Sequence, residues 1–476
     1  MRNDGKITVF LSLMISCLLL LCVTALSVAS VSIAREKAAI AVRSSISSVK
    51  AMYNRYIFDH YHILLFDKTL DGAGEAALEE QIGKDLSENL GDAFEIETVA
   101  ASSFFMICDD GLSDLKDQIA EAMKYEAVDY GVDKLREKTG GKDGTLSEEE
   151  QQKLEAAEQD QKDAESGEGT PSEDEGKKLP AKGKKKDPRK FTKKLKKSKL
   201  LEIVTPDTLE VNAEKYDTTN GPSYTVIGFF PTLLRSDKSF KSMSELRHEL
   251  AENSGWDNAL VSGGLAVTYA RTFFNSATDT KKNEDTVFDF EQEYLIAGNQ
   301  SDKDNLQQTV IKISAIRLPL CYACLLKDKS RMAEVETLAT ALTWYNPLLK
   351  VPVKYLIAGC WSYVEAIAET RSLLHGKRLG FVKKKDTWVT ELYNLSATVE
   401  KDVPESTRGL VYEDYLMILM AMQGDTLYYR MLDLMEFNTK LSQESFEMEN
   451  AACGLTVDAR INFRGQTFTF SETGEY

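Results

Sequence analysis

The pair Cys321 and Cys324, spaced as Cys-Tyr-Ala-Cys, is the feature of the chain closest to a reactive site. A CxxC dithiol does redox chemistry when it follows a strand and opens a helix, where the peptide dipoles lower a thiol pKa. Here the pair falls late in an apolar helical pattern, just past Pro319, so its position predicts buried thiols. No second CxxC completes a zinc set. Asp59, His60 and His62 are metal-ligand types, but residues at i and i+2 do not share a helix face. Lys142-Asp143-Gly144 precedes a glutamate run without the oxygen-ligand spacing of a calcium loop. There is no P-loop, GxGxxG, HExxH or GxSxG, and the four histidines offer few general bases. The residues therefore predict no catalytic, cofactor-binding or metal-ligating set, and a protein that is not an enzyme.

The elements that would position any site are dominated by one stretch. Ile7 to Ala34 contains no Asp, Glu, Lys, Arg, Pro or Gly. As a helix it is on the order of 40 Å long, more than a bilayer's hydrocarbon core. A signal-peptide core is shorter, so the run predicts a retained anchor, although Ser27-Val28-Ala29 has the small-x-small pattern of a cleavage site. Ile7, Phe10, Leu19 and Val31 are its candidate lipid contacts. Arg2 and Lys6 precede it and Arg35 and Lys37 follow it, so the positive-inside rule orients it only weakly. The expected orientation is single-pass in the cell membrane, N-terminus cytoplasmic and the remainder extracytoplasmic. Beyond it, Ile46, Val49, Tyr53 and Ile57 recur at helical spacing and form a candidate face for a partner helix. Residues 7–61 then read as one continuous rod.

The chain carries a net charge of −17, which disfavours nucleic acid as a partner. Four segments are expected: anchor and amphipathic helix over 1–61, a first part of the head over 62–138, a linker over 139–200, and a helix-rich head over 201–476. In the linker, Asp and Glu dominate Glu148 to Glu175, and Lys and Arg dominate Lys177 to Lys199. Such composition buries too little apolar surface to offset ordering entropy, which predicts disorder. The basic block is a candidate contact for an anionic wall polymer. Helices are expected over 79–90, 112–138, 244–252, 332–342, 355–374, 412–423 and 426–440. Leu260 to Phe274 is apolar on one side, and a further helix is capped by Ser301 with Asp304. Strands are expected over 95–99, 223–230 and 286–296. Leu455 to Phe463, Arg464-Gly465 and Thr467 to Phe470 predict a C-terminal hairpin. The class is α+β, mainly helical: a long N-terminal transmembrane helix, then a helix-rich head with short strands.

Gly5-Lys6-Ile7-Thr8-Val9-Phe10-Leu11, Tyr53-Asn54-Arg55 and Leu65-Phe66-Asp67 resemble an uncharacterised family of Gram-positive anaerobes encoded beside tight-adherence (Tad) pilus genes. Tyr294-Leu295-Ile296-Ala297-Gly298, Ser301-Asp302, Asn305-Leu306, Leu374-His375-Gly376-Lys377 and Tyr412, Tyr415 and Leu416 continue the resemblance. It implies a single-pass surface protein with a pilin-like first helix, with pilus-machinery membrane proteins or pilin subunits as partners beside the lipid bilayer. Phe10 stands where processed pilins have a glutamate, so the resemblance implies association with a pilus rather than a processed subunit. The alternatives are a binding or sensing module for cell-wall polymer and a tethered hydrolase of unrecognised type.

Overall fold

After Gly5 the helix α1 (Asp4–Ala51) contains neither glycine nor proline, so nothing interrupts its backbone ladder for 48 residues. The computed structural model describes residues 4–109, 111–123, 188–195, 200–227, 256–279 and 285–476. The fold is α+β and mainly helical. It divides into two compact units, residues 1–122 with 435–476, and residues 123–434. The C-terminal segment thus joins the N-terminal helix in one unit, rather than closing a head over 201–476.

In the first unit, α1 is followed by α2 (Arg55–Tyr61), β1 (Phe66–Asp67), α3 (Glu75–Leu90), β2 (Glu95–Met106) and α4 (Ser113–Met123). β3 (Ala451–Phe463) and β4 (Gln466–Glu475) complete it. β3 pairs antiparallel with β1, β2 and β4, so a late strand organises the sheet. The predicted hairpin is present: Arg464 and Gly465 both have positive φ, and Phe463 pairs with Gln466. Positive φ at both central residues of a two-residue loop matches the twist of the strands it joins. The core is apolar, with Val42, Ile46 and Val49 of α1, Leu78, Ile82 and Leu86 of α3, and Leu455, Val457 and Ile461 of β3.

The rod is not continuous to residue 61. α1 ends at Ala51, and Asn54 takes an extended conformation and caps α2, its side chain accepting from Ile57 N–H at 3.1 Å. Asn54 N–H also donates to Leu65 O at 2.8 Å. An asparagine that offers its own acceptor to the backbone competes with helix continuation, and here it wins.

The second unit contains α5 (Pro188–Lys194), α6 (Leu200–Val204), α7 (Pro222–Ile227), α8 (Trp256–Phe273), α9 (Glu291–Ala297), α10 (Asp302–Leu326), α11 (Lys329–Leu342), α12 (Lys350–Leu374), α13 (Leu395–Thr398) and α14 (Tyr412–Ala421). The boundary between units falls inside α15 (Asp425–Lys440). Ser301 caps α10 through Asp304 N–H at 3.2 Å. α12 ends as its sequence predicts: Gly376 has φ +79°, Gly376 N–H donates to Leu373 O, and Lys377 N–H donates to Ser372 O. That pair of bonds satisfies the last carbonyls of a helix.

Two predicted strands are overturned. Within 223–230, the described residues to 227 form α7, opened by Pro222 at its first position, where a missing N–H costs nothing. Within 286–296, residues 286–290 are irregular and bent rather than a strand, and the second half is α9. The carboxylate of Asp302 accepts from Asp289 N–H and Phe290 N–H, both at 3.1 Å, doing what a neighbouring strand would do. The predicted linker ends earlier than residue 200, because α5 packs on α12 with Leu195 buried. Lys190 and Lys193 of the basic block stand exposed on that helix. The acidic block, residues 124–138, the 244–252 segment and Lys142-Asp143-Gly144 lie outside the described residues.

Candidate functional site

The helix α1 has two halves with opposite surroundings. Every residue from Thr8 to Ala29 is exposed, including Phe10 at 69% and Leu19 at 58%. That stretch alone is about 30 Å long, enough to cross a hydrocarbon core. From Ala34 onward the pattern changes. Ala34, Ala38, Ala41, Val42, Ser45, Ile46 and Val49 are buried, which is the spacing of one helix face. Small residues along that face let the backbone approach the sheet closely. At Gly474 a Cβ would lie 2.5 Å from Ile46 Cγ2, so only glycine fits beneath the helix there.

Polar contacts fix this docking at its edges. Lys37 Nζ donates to Leu90 O at 2.7 Å, and Arg43 donates to both carboxylate oxygens of Glu472 at 3.1 Å. Tyr476 Oη donates to Lys50 O at 2.5 Å, and Lys50 Nζ donates to Glu475 O. The last residues of the chain therefore clasp the end of its first helix. Of the expected anchor residues, Phe10 and Leu19 are exposed and Val31 is half-buried; Ile7 belongs to the helix. The expected partner-helix face is differently employed. Ile46 and Val49 are buried in the unit's own core, Tyr53 lies in the break after α1, and Ile57 is buried on α2. Its Ile46 and Val49 are thus taken up by this chain's own core and are not free for a partner helix.

The CxxC leads to the second unit's most concentrated chemistry. Cys321 and Cys324 are buried near the end of α10, as predicted. Cys321 Sγ donates to Glu369 Oε2 at 3.3 Å, and burial, then the Glu369 charge, push its thiol well above the usual range. A thiol held protonated this way is a poor nucleophile. Around it, Arg317 Nε lies 2.7 Å from Glu369 Oε2, and Lys383 Nζ lies 2.9 Å from Glu369 Oε1 and 2.6 Å from Glu365 Oε1. All four charged side chains are at most 2% exposed. Arg317 Nη1 also donates to Gly380 O, Phe381 O and Tyr415 Oη. Glu365 accepts from Val389 N–H, Thr390 N–H and Thr390 Oγ1.

Burial alone would raise the Glu369 pKa, but the Arg317 and Lys383 charges outweigh it and hold the carboxyl below its ordinary value. The same balance raises Arg317 and Lys383 against their own desolvation. The cluster alternates in sign and every carboxylate oxygen in it has a donor. It clamps α10, α12 and the 380–390 segment together. Sequence reasoning missed it, although Arg317, Glu365 and Glu369 each interrupt an otherwise apolar helical run.

A second group of buried acids lies around α9. Burial pushes Glu293 up to about 7, against bonds from Ala277 N–H and Tyr412 Oη. Burial likewise raises Asp302 to about 6 and Asp433 to about 6. Asp433 accepts from Tyr294 Oη at 2.8 Å and from Ser223 N–H at 2.8 Å. Among the described residues, no group of three or more His, Cys, Asp and Glu is placed to hold a metal ion. His60 lies within α2 while His62 caps its end in the left-handed region, so the two do not converge.

These features define the class: an α+β protein whose N-terminal helix is long and apolar enough to span a membrane and whose inner half is docked on an antiparallel sheet. α10 also has the length and composition to cross a bilayer, but it carries buried Arg317 and packs along α12, as a core helix does. Over residues 180–463, more than half its length, the chain matches a family of unknown function (DUF5702) and belongs to it. That match includes the buried clusters and β3 but not α1. No curated protein and no solved structure matches the chain.

Proposed function

We propose that the protein is a single-pass membrane protein of the cell surface, with its N-terminus cytoplasmic and both folded units extracytoplasmic, acting structurally in assembly of a Tad-type pilus. The observation that carries the reading is the division of α1: Thr8–Ala29 exposed and apolar, Ala34–Val49 buried on the sheet. A helix that leaves the membrane directly into the core of its own head is a pilin-like arrangement. It couples the first unit directly to the anchor, which suits a scaffold more than a mobile tether. The resemblance of Gly5–Leu11, Tyr53-Asn54-Arg55 and Leu65-Phe66-Asp67 supplies the pilus context. Because the inner face of α1 is already filled, contact with pilus-machinery helices falls to the exposed half.

The test is photo-crosslinking in the native membrane from Leu19 or Leu26, both exposed on α1. Recovery of pilus-machinery membrane proteins or pilin subunits supports the assignment. Adducts with lipid alone from every exposed position of α1 contradict it, while leaving the anchor intact.

A further inference from the structure

The second unit displays an apolar face that its own core does not use. Leu348 is 87% exposed, Val351 60%, Tyr355 41% and Leu356 47%. With Pro352 they fall at i, i+3, i+4, i+7 and i+8, the stripe of an amphipathic helix turned outward. Trp344 at 56% and Tyr345 at 63% exposure extend it at one end. The display is built rather than loose. Thr343 Oγ1 donates back to Ala339 O at 2.7 Å, closing α11. The side chain of Asn346 caps the 3₁₀ turn Pro347–Leu349, accepting from Leu348 N–H at 3.2 Å. α12 follows at once, and Lys350 and Lys354 both pair with Glu336 of α11, at 2.9 and 3.1 Å. The opposite side of the same helix, at Ile357, Ala358 and Trp361, is buried.

We propose that this face, Trp344 and Tyr345 with Leu348–Leu356, inserts into the interfacial region of the lipid bilayer that holds α1. Three observations select lipid as the occupant. The stripe joins Trp and Tyr to Leu and Val, the mixture that partitions to the boundary between headgroups and acyl chains. No Asp or Glu occurs between Glu336 and Glu365, although the chain as a whole is strongly acidic at −17. The only charges there before Glu365 are Lys350 and Lys354, which with their shared partner Glu336 leave one net positive charge, suited to anionic headgroups. The same chain also carries its own anchor, so a weak interfacial contact is made at high effective concentration. The inference rests on the membrane anchoring of α1 and not on the pilus assignment.

The full chain, reconstituted into phosphatidylcholine–phosphatidylglycerol vesicles, tests it through Trp344. Tryptophan emission is compared between the protein and Trp344→Phe, with acyl-chain-brominated lipid and with aqueous acrylamide as quenchers. The expected result is a Trp344 component that is blue-shifted, quenched by brominated lipid and protected from acrylamide. Leu348→Asp should abolish lipid quenching of that component while the protein still floats with the vesicles. A Trp344 component quenched by acrylamide and indifferent to brominated lipid overturns the proposal. Protection from both quenchers also overturns it, because protein then covers the face. A chain that fails to float removes the anchor on which the proposal stands, and is thereby distinguished from a failure of the face itself.

Discussion

The two units solve burial in different ways. The first packs α1, α3 and the sheet around an apolar cluster, keeps the Arg43–Glu472 pair at the surface, and buries a carboxylate, Glu436, which Lys440 and Met448 N–H satisfy. The second buries Arg317, Glu365, Glu369 and Lys383 together, and adds the buried acids Glu293, Asp302 and Asp433. An apolar core gains from area removed from water and tolerates small errors in geometry. A buried ionic core needs every partner in place, because each charge taken from water costs several kcal/mol unless fully compensated. The first unit is therefore expected to weaken gradually under substitution, and the second abruptly.

The largest effect is expected at Glu369. Glu369→Leu leaves Arg317 without its carboxylate and takes one of two from Lys383, and should cost about 3–5 kcal/mol in chemical denaturation. Adding Arg317→Met should restore part of that loss, since Lys383 keeps Glu365. If the double variant is less stable than the single, the cluster is not the self-compensating clamp described here. In the first unit, Leu455→Ala empties a fully buried position of β3 and should cost about 3 kcal/mol. A loss as abrupt as that of Glu369→Leu would erase the contrast.

The next effect is a pH dependence carried mainly by the second unit, with Glu436 of the first, also raised by burial, acting in the same direction. Glu293 is held near 7, above its ordinary 4.5, so the folded state binds more protons than the unfolded state between those values. Its contribution is complete below about 4.5 and is lost as pH rises towards 7, by up to about 3 kcal/mol. Asp302 and Asp433 act in the same direction. Glu369, held low, acts oppositely and loses its contribution on acidification. Glu293→Gln should flatten the decline in melting temperature between pH 5 and 7; an unchanged slope would assign the decline to other groups. The smallest effect is expected at the surface. Arg43→Ala removes a solvent-exposed pair and should leave the melting temperature within error.

The elements legible in the sequence were those with local signals. The uncharged run over Ile7–Ala34, the cap at Ser301, the stop at Gly376 and the alternation on both sides of Arg464-Gly465 each define structure from neighbouring residues. What was not legible depended on residues far apart in the chain. Alternation over 223–230 suggested a strand, but Pro222 and the Asp433 carboxylate favour a helix start. Asp289 and Phe290, just before α9, take their acceptor from Asp302, not from a sheet. β2 pairs with β3 across more than 300 residues, which no local pattern reveals. The end of α1 is the instructive middle case. Tyr53-Asn54 looked like rod because its apolar spacing continued, whereas Asn54 carried a capping signal for the next helix.

The central claim is that α1 is shared between two media, lipid over its outer half and protein over its inner half. Surface proteolysis of intact cells, followed by alkaline extraction of the membranes, tests it most directly. The account predicts that the full-length chain resists alkaline extraction, and that protease added outside removes the folded units and leaves a membrane-embedded fragment containing Thr8–Ala29. Recovery of the full-length chain in the soluble fraction would contradict it, whereas units digested only after the cells are broken would reverse the proposed orientation and leave the anchor in place.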